Sequence, residues 1–270
     1  MAMTVHASVA DTTALSRRFC RVVLQVPDLA ALQLPAAADA AVGIYFSESA
    51  TPTGRTYTVR AVDSAECLVT VDVLLHGDAI GTDWAQRTRP GEEVTLAYPN
   101  SWYLPPEGTE SQLLVADLAG FPALARIIEG LPPEADAVAI VEVLDADDLD
   151  YLPRPPAVEI VSSVGTGNGV ADSALPRLVM MQQPGHGYCW FAGEAHEARA
   201  IRKYLRNELR WEIDQLDVMG YWRRDSADWD RRYASVGATL FAGYQTAIAQ
   251  GVAEKLAAEQ FDEALEGFGL

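Results

Sequence analysis

Between Arg18 and Leu104, apolar residues recur in short runs of period two, broken by turns rich in glycine and proline. The run RFCRVVLQV (18–26) is branched and strand-like, and GRTYTVRAVD (54–63) follows the turn-rich ESATPTG (48–54). CLVTVDVLLHG (67–77) alternates and then becomes continuously apolar, as a strand buried partly on both faces does. EEVTLAY (92–98) follows the turn Pro90-Gly91. Strands spaced in this way, with little helical pattern, predict an antiparallel barrel or sandwich.

The pattern changes near Pro105-Pro106-Glu107-Gly108, which divides the chain into a β unit over 15–106 and an α/β unit over 107–270. SQLLVADLAG (111–120) predicts a strand and a turn. FPALARIIEGL (121–131) predicts a helix, with Leu124, Ile127, Ile128 and Leu131 at helical spacing. Strands follow at 136–145, 157–165, 187–194 and 216–222, with a helix over 195–209. Strands alternating with helices of this length imply a parallel sheet with crossover helices. Beyond Arg223 the chain reads as helical to about Glu259, with an apolar, acidic tail.

Composition narrows the function. At 270 residues with 49% hydrophobic and 21% charged positions, the chain can bury a core without covalent staples. The net charge of −18 argues against nucleic acid or an anionic membrane as partner, since either needs a basic face. An anionic ligand must then be drawn in by a local cationic cluster. No apolar run approaches the roughly 20 residues of a membrane helix. The opening MAMTVHASVADTTALSRRF lacks the apolar stretch of a secretory signal and reads as an unstructured lead-in. Cys20, Cys67 and Cys189 are scattered without metal-ligand spacing, which predicts free thiols, no zinc site and a cytoplasmic location. The oligomeric state is not encoded in any of these features.

Two segments carry candidate chemistry. In Arg55-Thr56-Tyr57-Thr58-Val59-Arg60, period two puts Arg55, Tyr57 and Val59 on one strand face and Thr56, Thr58 and Arg60 on the other. A flavin dinucleotide needs a cation at its pyrophosphate, a flat partner for its ring, and a hydrogen-bonding group near the reactive nitrogen. Arg55, Tyr57 and Thr58 could supply these, though an ordinary surface strand carries such residues too. In the second segment a strand ends at His76-Gly77, a loop follows, and Trp84 opens a short helix whose N–H groups could receive a phosphate. A capping histidine and a core tryptophan are the plainer reading.

The ordered series RTYTVR, VDVLLHG with a Trp-Ala, Pro90-Gly91, VADLAGFPALARI, WFAGEAHEARAIRKYL and VMGYWRRD resembles the siderophore-interacting protein family of flavin reductases, over about residues 15–225. The resemblance implies a ferredoxin-reductase-like fold, in which an FAD-binding antiparallel barrel precedes a nicotinamide-binding parallel sheet. It also implies an activity: NADH or NADPH reduces FAD, which passes single electrons to iron(III) held by a siderophore. Carried over position by position, Arg55, Tyr57 and Thr58 match the flavin motif, and His76 and Gly77 the strand-end pair. Gly81, Thr82 and Trp84 fall in the segment beside the cofactor phosphates. Asp117 and Pro122 match the acidic turn and helix-opening proline, Ala192-Gly193-Glu194 the strand end near the nicotinamide, and Gly220-Tyr221-Trp222-Arg223 the closing motif. Arg126 could face the flavin edge and attract an anionic chelate, although a solvated helix arginine is the simpler alternative. Trp222 could serve as core or as substrate contact.

Three departures bear on the activity. The segment Ile80-Gly81-Thr82-Asp83 is shorter than the family's and adds an acid. Tyr98-Pro99-Asn100-Ser101-Trp102 replaces a glycine-rich turn, so that Tyr98 and Trp102 could stack on flavin or substrate. Glu159-Ile160-Val161-Ser162-Ser163, with the glycine-rich loop 165–169, stands where the family often has a Trp and an Arg. The acids of 145–150 make the extra phosphate of NADPH less welcome. Three functions remain open: a ferric-siderophore reductase, a flavoenzyme of the same fold acting on an organic metabolite, and a cofactor-free relative that binds a small molecule.

Overall fold

The protein is described by a computed structural model covering residues 4–46, 54–77 and 79–270. Six strands close into an antiparallel barrel: β1 (Val5–Ala14), β2 (Phe19–Gln25), β3 (Ala41–Tyr45), β4 (Gly54–Asp63), β5 (Leu68–Leu74) and β6 (Glu93–Asn100). Their order around the barrel is β1-β2-β5-β4-β3-β6, with β1 returning to β6 through Val5 opposite Leu96. Valines 22, 42, 59, 69, 71 and 73, with Leu24, Ile44 and Leu96, fill its interior. Between β5 and β6, helix α1 (Ile80–Arg87) lays the buried Trp84 and Ala85 on that core.

Ten residues after β6 the texture becomes α/β. Strands β7 (Ser111–Ala116), β8 (Asp136–Val143), β9 (Val158–Val164), β10 (Tyr188–Glu194) and β11 (Leu216–Trp222) form a parallel sheet in the order β11-β10-β7-β8-β9. Helix α2 (Phe121–Gly130) packs on one face, and α3 (Leu175–Gln182) and α4 (Ala195–Lys203) on the other. All seven residues of β10 are buried, as expected of a strand covered on both faces. Helices α5 (Ser226–Ala249) and α6 (Glu254–Gly267) follow as a hairpin. Salt bridges from Arg202 to Asp262, Lys203 to Glu266 and Arg206 to Glu259 tie α6 to α4 and the turn after it. Among the described residues no helix is long and apolar enough to cross a membrane.

The barrel-plus-parallel-sheet architecture is the one expected, and several of its boundaries move. Residues 5–14 are a barrel strand rather than a lead-in; Val5, Ala7 and Val9 alternate inward, small enough to look unremarkable in the sequence. The proposed boundary at 106/107 falls in the connection between β6 and β7. Strand β3 and helix α3 have no counterpart among the expected elements. Helix α1 begins at Ile80, four residues before Trp84, because Gly81 and Thr82 are held in its first turn. The C-terminal helix is broken at Gly251, whose φ of +85° suits glycine and ends α5. The turn at 48–53 lies outside the described residues.

The two units share a densely bonded seam. Phe19 of β2 stacks on Tyr151 at 4.4 Å. Arg18 reaches Asp148 at 2.9 Å and also bonds Asp145, while Arg60 pairs with Glu129 of α2. The Tyr151 hydroxyl donates to Asp72 at 2.5 Å, and the same carboxylate receives Arg21 at 2.8 Å. A register shift in β4 between Val59 and Ala61 interrupts its strict alternation, and Arg60 between them points to that seam.

Candidate functional site

At one end of the barrel the predicted flavin motif comes together. Tyr57 lies opposite Val42 in the β3–β4 ladder, tilted against Phe46 and Trp84 with ring centroids 6.4 and 6.2 Å away. Burial pushes the Tyr57 hydroxyl well above the ordinary phenol range, so it remains protonated as a donor. Gly81 is required here, because a Cβ would fall on the Tyr57 hydroxyl. The Thr82 hydroxyl accepts the His76 N–H at 2.9 Å and donates to the His76 carbonyl at 3.2 Å, latching the end of β5 to the first turn of α1. His76 is therefore a structural neighbour of the site, and burial lowers its pKa and favours the neutral ring. Gly77 turns the chain at φ +47°. Trp84 is 5% exposed and belongs to the core.

Helix α1 starts at Ala79 without a side-chain cap, and among the described residues no acceptor meets the N–H groups of Ile80, Gly81 or Thr82. Arg55 is exposed, and among the described residues it bonds the neighbouring Gly54 carbonyl at 2.8 Å. Asp83, a concern from the sequence, faces away toward Arg87 at 3.6 Å. An exposed cation on the Tyr57 strand and N–H groups at a helix start are each donors for a phosphate. Thr58, paired with Ala41 on the other strand face, is buried.

The carboxyl edge of the parallel sheet gathers a second group, and its chemistry is opposite. Asp117 accepts the Ala119 N–H at 2.8 Å and the Trp222 indole N–H at 2.5 Å, which brings these two predicted site residues into contact. Gly193 makes room for it: a Cβ there would lie 3.0 Å from the Asp117 carboxylate. Asn168 accepts the Leu118 N–H at 2.9 Å, and the Gly120 N–H goes to the Asp117 carbonyl. Glu194 accepts the His196 N–H at 2.6 Å, which caps α4, and the Arg224 N–H at 3.0 Å. The turn before α2 and the start of α4 are thus closed by the protein's own oxygens. Pro122 opens α2 as a helix-start proline.

Two further acids escaped the sequence reading. Glu142 of β8 is fully buried and holds the loop after β9 through Ser173, the Ala174 N–H and Thr166. A single acid in the apolar run VAIVEV was the available signal. Glu197 is 8% exposed, and one of its carboxylate oxygens has no hydrogen-bond partner among the described residues. Burial raises Asp117 to about 7 and Glu197 to about 8, the latter helped by Glu142, Glu194 and Asp117. By contrast, Asp145 and Asp148 are engaged by Arg17 and Arg18 of the barrel, so these acids of 145–150 face the seam rather than a nucleotide.

Helix α2 links the two groups. It leaves the Asp117 turn, and its Arg126 donates to the Val59 carbonyl of the flavin-motif strand. Arg126 is accordingly not a solvated helix arginine. Burial and then Arg60 lower its pKa. Near this seam Trp102 lies 6.0 Å from Tyr221. Asp39, unnoticed in its alanine run, accepts the Trp102 and Tyr103 N–H groups at 2.8 Å each and so fixes the aromatic connection. Tyr98 stands apart, beside Tyr45. No group of three or more His, Cys, Asp or Glu among the described residues could hold a metal ion.

Known proteins carry the same arrangement. Residues 34–103 match the model of the siderophore-interacting FAD-binding domain, and residues 109–225 that of the siderophore-interacting protein. An uncharacterized protein of Mycobacterium tuberculosis is 33% identical over 64% of this chain and 66% of its own length. The ferric vibriobactin reductase of Vibrio cholerae is 28% identical over 64% of this chain and 65% of its own. The chain thus spans just under two thirds of these curated relatives. A siderophore utilization protein from T. fusca superposes with a TM-score of 0.73 at 27% identity, covering 83% of this chain and 94% of that one. The fold is ferredoxin-reductase-like. Two adjoining domain models, in the order barrel then sheet, leave one conclusion: this chain belongs to the siderophore-interacting protein family.

Proposed function

We propose that the protein is a flavin-dependent oxidoreductase that delivers electrons through FAD to iron(III) bound by a siderophore, with a reduced nicotinamide dinucleotide as donor, in the cytoplasm. The observation that carries this reading is the start of α1, which has no side-chain cap and whose Gly81 lies against the Tyr57 hydroxyl, with the exposed Arg55 two residues before Tyr57 on the same strand. These residues fit FAD: a cation and open N–H groups for its pyrophosphate, and a buried, protonated tyrosine next to them. When bound, FAD converts a two-electron donor into one-electron steps, and iron(II) is held far more weakly than iron(III) by anionic oxygen donors. In this scheme Arg55 holds the pyrophosphate, Tyr57 sets the position of the ring, and Thr58 offers a hydroxyl or backbone group to it. Trp102, Arg126 and Trp222 border the approach. None of them acts as nucleophile or general base.

The occupied N–H groups of the turn before α2 and of the start of α4 favour a second reading, in which the same flavoprotein acts on an organic metabolite and takes electrons from another donor. One experiment separates the two. An absorption spectrum of the purified protein is recorded before and after anaerobic addition of NADH or NADPH, followed by a ferric chelate and a chromogenic iron(II) trap. Flavin bands that bleach, with trapped iron(II), support the reductase. Flavin bands that persist through both nucleotides support the second reading, and no bands after added FAD would remove both.

A further inference from the structure

Tyr98 sits in a conformation that its side chain disfavours. Its φ is +52°, in the left-handed region where a non-glycine residue is uncommon and costs about 1 kcal/mol or more. The cause is local: the β3–β6 register shifts between Ala41 and Gly43, and the extra residue bulges outward. Such a conformation persists only where the surrounding structure over-determines it, and here the side chain it presents is 59% exposed. Among the described residues its aromatic neighbour is Tyr45, with centroids 6.4 Å apart and planes tilted by 59°.

The Tyr45 ring is itself shaped by missing side chains. A Cβ on Gly43 would come within 3.3 Å of the ring, and one on Gly54 within 2.7 Å. Glycine at both positions lets the ring lie flat on the β3–β4 ladder. Next to it, Thr56 pairs with Gly43 and is exposed. The result is two tyrosines at an angle, on β3 and β6, with a hydroxyl beside them on β4, the strand of the flavin motif.

We propose that Tyr98 and Tyr45 form a subsite for a planar aromatic group of the substrate, such as a catecholate or phenolate arm of a ferric chelate. The open face of Tyr98 stacks on the ring, Tyr45 meets its edge, and Thr56 reaches its oxygen. Hydroxamate and carboxylate chelators have no ring to place there. This assignment rests on the ferric-chelate reading above for the nature of its ligand and does not require the flavin.

The test is calorimetric titration of the full chain with iron(III) tris-catecholate and with iron(III) tris(acetohydroxamate), for the wild type, Tyr98→Phe and Tyr98→Asn. Asparagine tolerates the left-handed conformation, so Tyr98→Asn is expected to melt no lower than the wild type. Its catecholate affinity is expected to fall about fivefold, the size of one aromatic contact. Tyr98→Phe, which keeps the ring, retains binding. Equal catecholate affinity in Tyr98→Asn would overturn the subsite, as would a hydroxamate affinity that falls in parallel. A loss of FAD retention in Tyr98→Asn would also overturn it, by assigning the ring to the cofactor. Failure of iron reduction with intact, Tyr98-dependent catecholate binding would instead count against the redox function alone.

Discussion

The molecule presents helix starts at two places where a phosphate could bind, and it treats them differently. At the barrel end, α1 begins without a side-chain cap among the described residues, against Tyr57 of a strand that also carries the exposed Arg55. At the carboxyl edge of the sheet, the turn leading into α2 already has its N–H groups on Asp117 and Asn168, and α4 begins with one on Glu194, among acids that burial keeps partly protonated. A helix dipole attracts anions in both cases, but a nearby carboxylate reverses the local field. Architecture alone therefore does not make a nucleotide site. The lesson is that a phosphate is held where the protein leaves donors unsatisfied, and a shared fold says little about which end that is.

The contrast can be broken by mutation. The largest effect is expected from Trp84→Ala, which empties the core under α1 and costs about 3–5 kcal/mol of stability, read from a urea unfolding curve. If α1 unravels, flavin retention goes with it. Arg55→Ala leaves the fold intact and removes one charge-assisted contact, so FAD affinity should drop about tenfold or more, measured by equilibrium dialysis. Unchanged affinity would mean that the open helix start is not the phosphate site.

Asp117→Asn addresses the other end through pH. The folded-state pKa of about 7 lies above the unfolded carboxylate value, so the folded protein holds a proton that the unfolded chain has lost. The group's stabilisation is complete below the unfolded pKa and disappears as pH rises toward 7. The wild type should lose stability between about pH 4 and 7 at this locus, and Asp117→Asn should flatten that slope in a pH series of thermal melts. The smallest effect is expected from Asn168→Ala, which frees the Leu118 N–H. NADH should bind about twofold to threefold more tightly if that closed donor is what limits it, a change within reach of one ordinary hydrogen bond.

Much of this contrast was legible in the residues and part was not. The alternation in RTYTVR and CLVTVDVLL predicted β4 and β5, and the glycine–proline punctuation predicted the barrel. The spacing of Leu124, Ile127 and Ile128 predicted α2. Strand β1 was missed because alanine and serine weaken its alternation, and β3 because five residues beside an alanine run carry little periodicity. At the site, Arg55 and Tyr57 were placed on one strand by its period of two, while the contact of Tyr57 with Gly81 across to α1 was not foreseen. The closure of the sheet edge could not be read, because Asn168, Glu142 and Leu118 meet only across three strands. Likewise, nothing local announced that Asp39 would bind the backbone 63 residues away.

The seam between barrel and sheet has a consequence for turnover. Phe19 on Tyr151, Arg60 on Glu129, Arg18 on Asp148 and Arg126 on a β4 carbonyl span the boundary from several directions. Domains joined through a few polar contacts open and close around their ligands, and their rates feel the drag of the solvent. A boundary held from several directions, with an aromatic stack among them, resists a clamshell swing. If it stays closed through turnover, added glycerol or sucrose slows this protein only as far as it slows diffusion itself, and a steeper viscosity dependence would show that the seam opens.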